Sequence, residues 1–457
     1  MREVVACVDV GSTFTKAALV EVPSGRLVAT AEHPTTLDTD VLDGWHACWA
    51  VLTEADPRAR DAEVLACSSA GGGLRIAVVG NEALVTAEAG RRVALSSGGR
   101  VVHVASGGLD AASVDALRES RPDVVLLVGG TDGGNSAVLL GCARALADSD
   151  WAGPVVVAGN ADAQDEVAGL LAAARTPYVL ADNVVPRIGV LEPGSARGAI
   201  RRMFLEHVIG GKHLSRSDEF TSMVRGATPD VVLTAVELLA RGTGDLPGTG
   251  DVVVVDVGGA TTDVYSVVEQ GEGEHVAGLG REVVGATAAN RTVEGDLGMR
   301  WSAVPTVEEA VAAGFFDGTA QHRARAERRH ADPGLLPDDE DDADFDVRLA
   351  TCAVGLALRR HAGRAQVRFD AAGGRFIERS GTDLREVALL VGSGGVLRHQ
   401  RGAADRLLDH VTTVGGWQVP EHPTVTVDRD YVLAPAGLLA ERHPEAAYRL
   451  LQTLRGR

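Results

Sequence analysis

The chain has 457 residues, 45% hydrophobic and 23% charged, which is ordinary for a globular protein of roughly two to four domains and excludes a disordered or fibrous chain. Its 44 basic and 63 acidic residues give a net charge of −19, which disfavours unspecific binding to nucleic acid or to an anionic membrane. The five cysteines include no CxxC pair, so a zinc ribbon or an iron–sulfur cluster is poorly supported. No signal peptide and no apolar run near the ~18 residues of a membrane span is visible, and we expect a cytoplasmic protein with reduced thiols.

The N-terminal half predicts an α/β fold, because short β-rich runs alternate with Ala/Leu-rich helical stretches. The predicted strands are Val4–Val10, Ala17–Val22, Val124–Val128 and Val155–Ala158, and the predicted helices are Asn135–Ala147 and Gln164–Ala174. The gap between the first two strands, residues 11–16, is too short for a crossover helix and therefore predicts a hairpin.

The turn of this hairpin carries residue types that suit a phosphate group. It reads Asp9-Val10-Gly11-Ser12-Thr13-Phe14-Thr15-Lys16. Glycine lets a ligand approach the backbone, and successive N–H groups with Ser and Thr hydroxyls can surround phosphate oxygens. Asp9, at the end of a buried strand, is placed to hold a hydrated Mg²⁺. The alternatives are a plain hairpin of small residues and, for Lys16, a solvent-facing strand start.

The same pattern occurs a second time further along the chain. The strand Val252–Val257 is followed by the turn Asp256-Val257-Gly258-Gly259-Ala260-Thr261-Thr262-Asp263 and a returning strand, Asp263–Val268. Carboxylates beside a phosphate-binding turn need a cation between them, and Mg²⁺ accepts one or two carboxylates while it keeps waters. The repetition predicts a duplicated domain whose two turns face each other and clamp the phosphates of a nucleotide.

Two charged blocks follow, HRARAERR at residues 322–329 and PDDEDDADFD at residues 337–346. Such blocks are usually solvated loops, which is our prediction here; a partner-docking loop is the alternative.

Two glycine- and alanine-rich segments near the C-terminus also fit a nucleotide site. The strand-like run Ala388–Val391 opens onto Gly392, Ser393, Gly394 and Gly395, whose bare backbone suits a flat ring, although an ordinary strand-to-helix loop has the same composition. The segment Ala434–Leu438 precedes a predicted amphipathic helix over Ala436–Leu454, and its small residues would allow a close helix crossing or a plain helix start.

In order and spacing, the segments Asp9–Lys16, Asp256–Asp263, Gly392–Val396 and Ala434–Leu438 resemble the phosphate, adenosine and connecting motifs of the actin-like ATPase superfamily. This resemblance implies an α/β fold of two ribonuclease-H-like domains that face each other across a cleft for ATP and Mg²⁺. Domain I would comprise residues 1–190, completed by a C-terminal helix at 436–457. Domain II would comprise residues 191–435, with a charged insert near 322–346.

Within that superfamily the chain resembles the MutL family of glutamate mutase accessory proteins. The resemblance rests on residues 8–16, on LLVGGTDGGN at 126–135 and on RTVEGDLGMR at 291–300. It implies a reactivating chaperone that uses ATP to release damaged cobalamin from an adenosylcobalamin-dependent mutase, such as glutamate mutase or a related aminomutase.

The combined reading predicts a slow ATPase in which positioning and charge neutralisation, without a covalent nucleophile, carry the chemistry. Asp9 and Asp256 would hold the metal, and Asp263 or Asp132 would orient the attacking water. The residues expected to contact the nucleotide are Gly11, Ser12, Thr13, Thr15, Lys16, Gly258, Gly259, Thr261, Thr262, Gly392, Ser393, Gly394 and Gly395.

Two assignments in this set have structural alternatives. Asp132 could instead cap the helix that starts near Asn135. Glu294 and Asp296, which lie between two arginines, could position water or belong to a salt-bridged helix.

Other functions of the same fold compete with this reading. A sugar-kinase-type enzyme would use the same ATP cleft, but we identify no polar substrate motif in the first domain. A cytoskeletal filament would require self-complementary surfaces, and a hydantoinase- or carboxylase-like subunit would share the fold. An activator with an iron–sulfur cluster is disfavoured, because the five cysteines are scattered.

Overall fold

The computed structural model describes residues 3–82, 85–149, 151–269, 288–369, 374–379, 381–400 and 402–455. The described chain divides into two compact units, one of residues 3–22 and 26–233, the other of residues 23–25, 234–269 and 288–455. The first unit extends past residue 190, and the C-terminal helical segment is grouped with the second unit. A division by contacts does not define functional domains, so the predicted domain boundaries stay a prediction. Residues 456–457 of the predicted last helix lie outside the described residues.

The first unit combines strands and helices in alternation. Its strands are β1 (Val4–Val10), β2 (Phe14–Glu21), β3 (Arg26–Pro34), β4 (Glu63–Ser68), β5 (Leu74–Gly80), β6 (Gly99–Ser106), β7 (Val124–Leu127), β8 (Val155–Val157), β9 (Tyr178–Leu180) and β10 (Val224–Ala227). Its helices are α1 (Val41–Ala55), α2 (Thr86–Ser96), α3 (Ala111–Glu119), α4 (Ala137–Ala147), α5 (Gln164–Ala173), α6 (Gly194–Met203) and α7 (Asp218–Met223). Helix α8 (Thr228–Arg241) begins in this unit and ends in the other.

The second unit has the same mixed character. Its strands are β11 (Gly242–Thr243), β12 (Leu246–Pro247), β13 (Val252–Val257), β14 (Thr262–Val267), β15 (Ala289–Glu294), β16 (Ala365–Phe369), β17 (Arg375–Arg379), β18 (Leu389–Ser393) and β19 (Thr424–Val427). Its helices are α9 (Ala303–Ala312), α10 (Ala320–Ala331), α11 (Glu340–Ala362), α12 (Gly395–His399), α13 (Leu433–Leu439) and α14 (Pro444–Leu451).

Each unit is built on a five-stranded mixed sheet of the same design. The orders are β3-β2-β1-β4-β10 and β15-β14-β13-β18-β19. In both sheets the first three strands in chain order form an antiparallel meander, the fourth strand pairs in parallel with the first, and the fifth pairs in parallel with the fourth. The predicted α/β fold class with two ribonuclease-H-like domains is confirmed by this shared topology.

The first strand of each sheet is buried because its sequence is almost wholly apolar and β-branched. All seven residues of β1 are buried, and in β13 every residue except the half-buried Asp256 is buried. Strands covered on both faces read as continuous hydrophobic runs, and these two occupy the sheet centres. The polar residues at their carboxyl ends are therefore held by rigid elements.

The first unit contains a further sheet that the sequence analysis did not separate from the first. It is entirely parallel, with the order β6-β5-β7-β8-β9, and it lies in the chain between β4 and β10. Its strands alternate with helices, as expected of doubly wound α/β units. The predicted strands near Val124 and Val155 belong to this sheet.

The prediction that the two charged blocks are solvated loops is wrong. Residues 322–329 lie in α10 and residues 340–346 begin α11. The Asp339 side chain accepts a hydrogen bond from the Asp342 amide (2.8 Å), and the acidic first turn of α11 suits the positive end of the helix dipole. Arg329 is only 1% exposed, because carboxylates of α11 pair with it.

The prediction of one continuous C-terminal helix is also wrong. The segment forms α13 and α14, and the second of these begins at Pro444, which is tolerated in a first turn but not in a helix interior. Across the described residues, we find no helix long and apolar enough to cross a membrane.

Candidate functional site

The two predicted turns have the same hairpin geometry. The Gly11 amide donates to the Phe14 carbonyl (3.1 Å), and the Gly258 amide donates to the Thr261 carbonyl (2.9 Å). A Cβ atom at Gly11 would lie 2.7 Å from the Phe14 oxygen, so this position requires glycine. The duplication expected from sequence thus extends to hydrogen bonds within the turns.

Thr35 holds the back of the first turn, and sequence reasoning missed it. Its hydroxyl donates to the Gly11 carbonyl (2.8 Å), and its amide donates to the Thr13 carbonyl (2.9 Å). The C=O and N–H groups of a trans peptide point in opposite directions, so tying back the Gly11 carbonyl turns the Ser12 amide outward. Within the described chain the Ser12 amide makes no hydrogen bond, and Ser12 and Thr13 are exposed.

The second turn is held in the same way by residues 299–302. The carbonyls of Gly258 and Gly259 accept from the amides of Met299 (3.0 Å) and Arg300 (2.8 Å). The Ala260 carbonyl accepts from the Ser302 hydroxyl at 2.6 Å. By the same peptide geometry, the amides of residues 259, 260 and 261 point to the opposite side. None of these three amides has an acceptor among the residues that the structure describes, so the turn presents a group of N–H donors of the kind that binds anions.

Asp9 is a buried carboxylate at the end of β1. It is 4% exposed, and its Oδ1 atom accepts a hydrogen bond from the Thr228 hydroxyl at 2.5 Å. The Cys67 thiol lies 3.5 Å from the same oxygen. Burial and then the charge of Asp9 raise the pKa of Cys67, so it is a neutral thiol there. Thr228 was not predicted, since it lies 219 residues away in the sequence.

The residue that pairs across the strands with the first aspartate of each turn differs between the two units. Asp9 is paired with Lys16, whereas Asp256 is paired with Asp263. Asp263 is 9% exposed, and the Arg291 guanidinium donates to it at 2.8 and 2.5 Å. Burial lowers the pKa of Arg291 and Asp263 raises it, with a net upward shift, so the Arg291 side chain is a cation there. Each site therefore contains one cationic side chain near the aspartates.

The buried threonines of the two turns occupy equivalent positions. Thr15 pairs with Val10 and Thr262 with Val257 in their respective ladders, and both threonines are fully buried. The Thr15 hydroxyl lies 3.1 Å from the Thr35 hydroxyl, and the Thr262 hydroxyl donates to the Leu297 carbonyl (3.0 Å). Their hydroxyls hold the turns in shape in this structure, and their predicted contacts with a nucleotide stay predictions.

The glycine-rich segment at the end of β18 lies beside the strand that carries the second turn. Ser393 is the parallel partner of Asp256. Gly394 has φ +112°, and a Cβ atom there would lie 2.2 Å from the Val257 carbonyl oxygen, so only glycine fits. Asp428, which sequence reasoning missed, donates its amide to the Gly392 carbonyl (2.9 Å), and its buried carboxylate accepts from the Val432 amide (2.8 Å).

Asp132 lies in the loop after β7, a strand of a different sheet from the one that carries Asp9. Its carboxylate accepts from the Ala161 amide (2.9 Å) and the Asn183 side chain (2.8 Å), which connects the loops after β7, β8 and β9. The alternative that it caps the following helix is wrong, because Asn135 caps the Ala137 amide at 2.8 Å. Its predicted role toward water stays a prediction.

The acidic residues of the 291–300 segment form ion pairs, but not on a helix. Glu294 ends strand β15, and Arg360 donates to both Glu294 (2.9 Å) and Asp296 (2.7 Å). The expectation of salt bridges is confirmed, and the expectation of a helix is wrong because the segment pairs with β14 in the sheet.

The acidic side chains beside the turns are of the kind that binds Mg²⁺ together with a phosphate-bearing ligand. In the described part of the chain, no three His, Cys, Asp or Glu side chains come together as a metal cluster. Mg²⁺ is usually bound by one or two carboxylates together with water and substrate phosphates. Asp9 and Asp256 each lie next to a glycine turn, and their predicted role as metal ligands stays a prediction.

Comparisons with known proteins identify a family. A model of the MutL protein family matches residues 5–454. Protein MutL of Clostridium tetanomorphum is 35% identical over 457 residues, which covers 97% of each chain. The ROK hexokinase from Thermus thermophilus has a TM-score of 0.29 at 14% identity, covering 99% of this chain and 100% of its own. The xylulose kinase from Rhodospirillum rubrum has a TM-score of 0.33 at 16% identity, covering 98% of this chain and 92% of its own.

TM-scores this low are not evidence of a shared fold, so the fold assignment rests on the strand order of the chain itself. The family match, by contrast, spans nearly the whole sequence. The chain belongs to the MutL protein family.

Proposed function

We propose that this protein binds ATP with Mg²⁺ on its glycine turns and hydrolyses it slowly. The observation that carries the proposal is the second turn, whose carbonyls are tied to residues 299–302 while the amides of residues 259–261 have no acceptor in the described chain. Backbone amides presented together in this way are a common means of holding phosphate. Bound Mg²⁺ would neutralise phosphate charge during transfer, with Asp9 and Asp256 as its protein ligands.

Within this proposal, the residues divide into binding and orienting groups. The amides of residues 12 and 259–261 and the hydroxyls of Ser12, Thr13 and Thr261 would contact phosphate oxygens. Asp263, held in place by its hydrogen bonds from Arg291, would accept a hydrogen bond from the attacking water. The Gly392–Gly395 segment would offer bare backbone to the adenosine ring, because Gly394 cannot carry a side chain.

We further propose that the ATPase serves an adenosylcobalamin-dependent mutase of the glutamate mutase type as a reactivating partner. This rests on membership of the MutL family and on the resemblance of residues 126–135 and 291–300 to that family. Hydrolysis would change which conformation the turns favour, and a bound partner would respond to that change.

Calorimetric titration of the protein with ATP, with and without Mg²⁺, tests the nucleotide site. We expect binding that strengthens with Mg²⁺ and that loses this dependence in Asp9→Asn and Asp256→Asn. Asp165→Asn, at an exposed position of α5, is the matched control and should behave as wild type. Absence of ATP binding by the wild-type protein would contradict the proposal, and phosphorylation of a small metabolite would favour the kinase alternative.

A further inference from the structure

A buried ionic network joins the helix pair α10–α11. Arg329 of α10 donates to Asp346 of α11 at 2.6 Å, and both side chains are 1% exposed. Arg329 also lies 3.6 Å from Asp342. Arg300, from outside the helix pair, donates to Asp346 at 3.3 Å. Asp342 also lies 3.8 Å from Arg325 and 3.6 Å from Arg328, so both buried aspartates are paired with arginines, which is how charges are retained at buried positions.

Arg300 connects this network to the second glycine turn. Its amide donates to the Gly259 carbonyl at 2.8 Å. Its guanidinium, besides Asp346, donates to the Leu335 carbonyl (3.0 Å) in the α10–α11 connection. The same residue is therefore fixed to the turn by its main chain and to the helix pair by its side chain.

The peptide between residues 259 and 260 makes this connection sensitive to a ligand. Its carbonyl accepts from Arg300, and its N–H, on Ala260, points to the side where a phosphate would lie. Hydrogen bonds at the two ends of one peptide group polarise and strengthen each other. A phosphate on the Ala260 amide would therefore strengthen the bond from Arg300, and a firmly held Arg300 would favour phosphate binding to the same extent.

We propose that Arg300 is a positioning residue that holds the second turn in its anion-binding conformation and couples nucleotide occupancy to the stability of the α10–α11 helix pair. The proposal deepens the proposed ATP site and depends on it. An ionic network with a purely structural role would stabilise the helix pair equally with and without nucleotide.

Hydrogen–deuterium exchange on the full-length wild-type protein distinguishes the two roles without any substitution. With saturating ATP and Mg²⁺, we expect slower amide exchange in residues 320–331 and 340–350 than without nucleotide. Unchanged exchange there, when calorimetry shows that ATP is bound, would overturn the coupling. Failure of the wild-type protein to bind ATP would instead overturn the proposed function and this inference together.

Substitutions then test Arg300 itself. Arg300→Met should weaken ATP binding by about tenfold, a usual size for such coupling, and should abolish the nucleotide-dependent protection of the helix pair. Arg300→Lys, which keeps the charge, should recover part of both effects. The control is Arg323→Met, which removes an exposed ion pair of α10 with Glu308 and should leave ATP binding unchanged. Wild-type affinity and protection in a folded Arg300→Met protein would refute the role of Arg300.

Discussion

Thr35→Val is the substitution that most directly tests how the first turn is held. The threonine hydroxyl donates to the Gly11 carbonyl (2.8 Å) and lies 3.1 Å from the Thr15 hydroxyl. Valine has nearly the same shape and keeps the amide bond to the Thr13 carbonyl, so it removes only these side-chain hydrogen bonds. The Gly11 carbonyl would then be free to rotate, and the Ser12 amide would no longer be fixed outward.

The size of the effect follows from the groups left without partners. Leaving a buried polar group unsatisfied costs about 1–3 kcal/mol. The Thr15 hydroxyl is fully buried, whereas Gly11 is only half-buried and can recruit water. We therefore expect a loss of about 2 kcal/mol in the free energy of unfolding and, since the turn is less ordered, roughly tenfold weaker ATP binding.

Urea denaturation measures the first quantity and ATP titration the second. The matched control is Thr30→Val, the same substitution at an exposed position of β3, the strand that ends just before Thr35, and it should change neither. If Thr35→Val binds ATP as tightly as wild type does, the carbonyl-tethering explanation of the turn is refuted.

Three further predictions concern single side chains. Thr228→Val removes the hydroxyl donor to Asp9, and we expect ATP binding to depend less on Mg²⁺ in a titration; an unchanged dependence would count against Asp9 as a metal ligand. Asp263→Asn leaves Arg291 buried without its counter-charge, so we expect a loss of about 3–5 kcal/mol in urea unfolding and loss of ATP turnover, whereas wild-type stability would show that the pair is dispensable. Burial lowers the pKa of His361 to about 4 from 6.5, so the unfolded chain takes up its proton first and stability falls by up to about 3 kcal/mol as pH drops from 6.5 through 4. His361→Asn should flatten this pH dependence of unfolding, and an equally steep profile would contradict it.

The duplicated fold was predictable from sequence because its signal is local. An apolar strand, a glycine turn and a returning strand lie within about twenty residues, and the turns at Gly11 and Gly258 form the expected hairpins. The parallel sheet β6-β5-β7-β8-β9 was not separated, because buried strands of either sheet have the same apolar composition.

The residues that hold the turns could not be predicted from local sequence patterns. Thr35 and Thr228 contact the first turn from later parts of the chain, and nothing in their own neighbourhood marks them. Arg291 and Arg300 lie in a segment that sequence reasoning singled out, but their partners, Asp263 and Gly259, depend on how β15 and the following turn fold.

The prediction that the charged blocks form loops was wrong because it considered only their charge. An aspartate followed three residues later by another acidic residue, ahead of an apolar run, is an N-terminal helix signal, and Asp339 has this role. The complementary signs of residues 322–329 and 337–346 were visible in the sequence and could have suggested that the blocks pair.

One measurement tests the central claim most directly. An adenosylcobalamin-dependent mutase of the glutamate mutase type is inactivated with cyanocobalamin, and its activity is followed after addition of the protein, ATP, Mg²⁺ and adenosylcobalamin. We expect recovery of activity that requires ATP and is lost with Asp256→Ala, but retained with Asp165→Asn. No recovery, while the protein still hydrolyses ATP, would contradict a reactivating role.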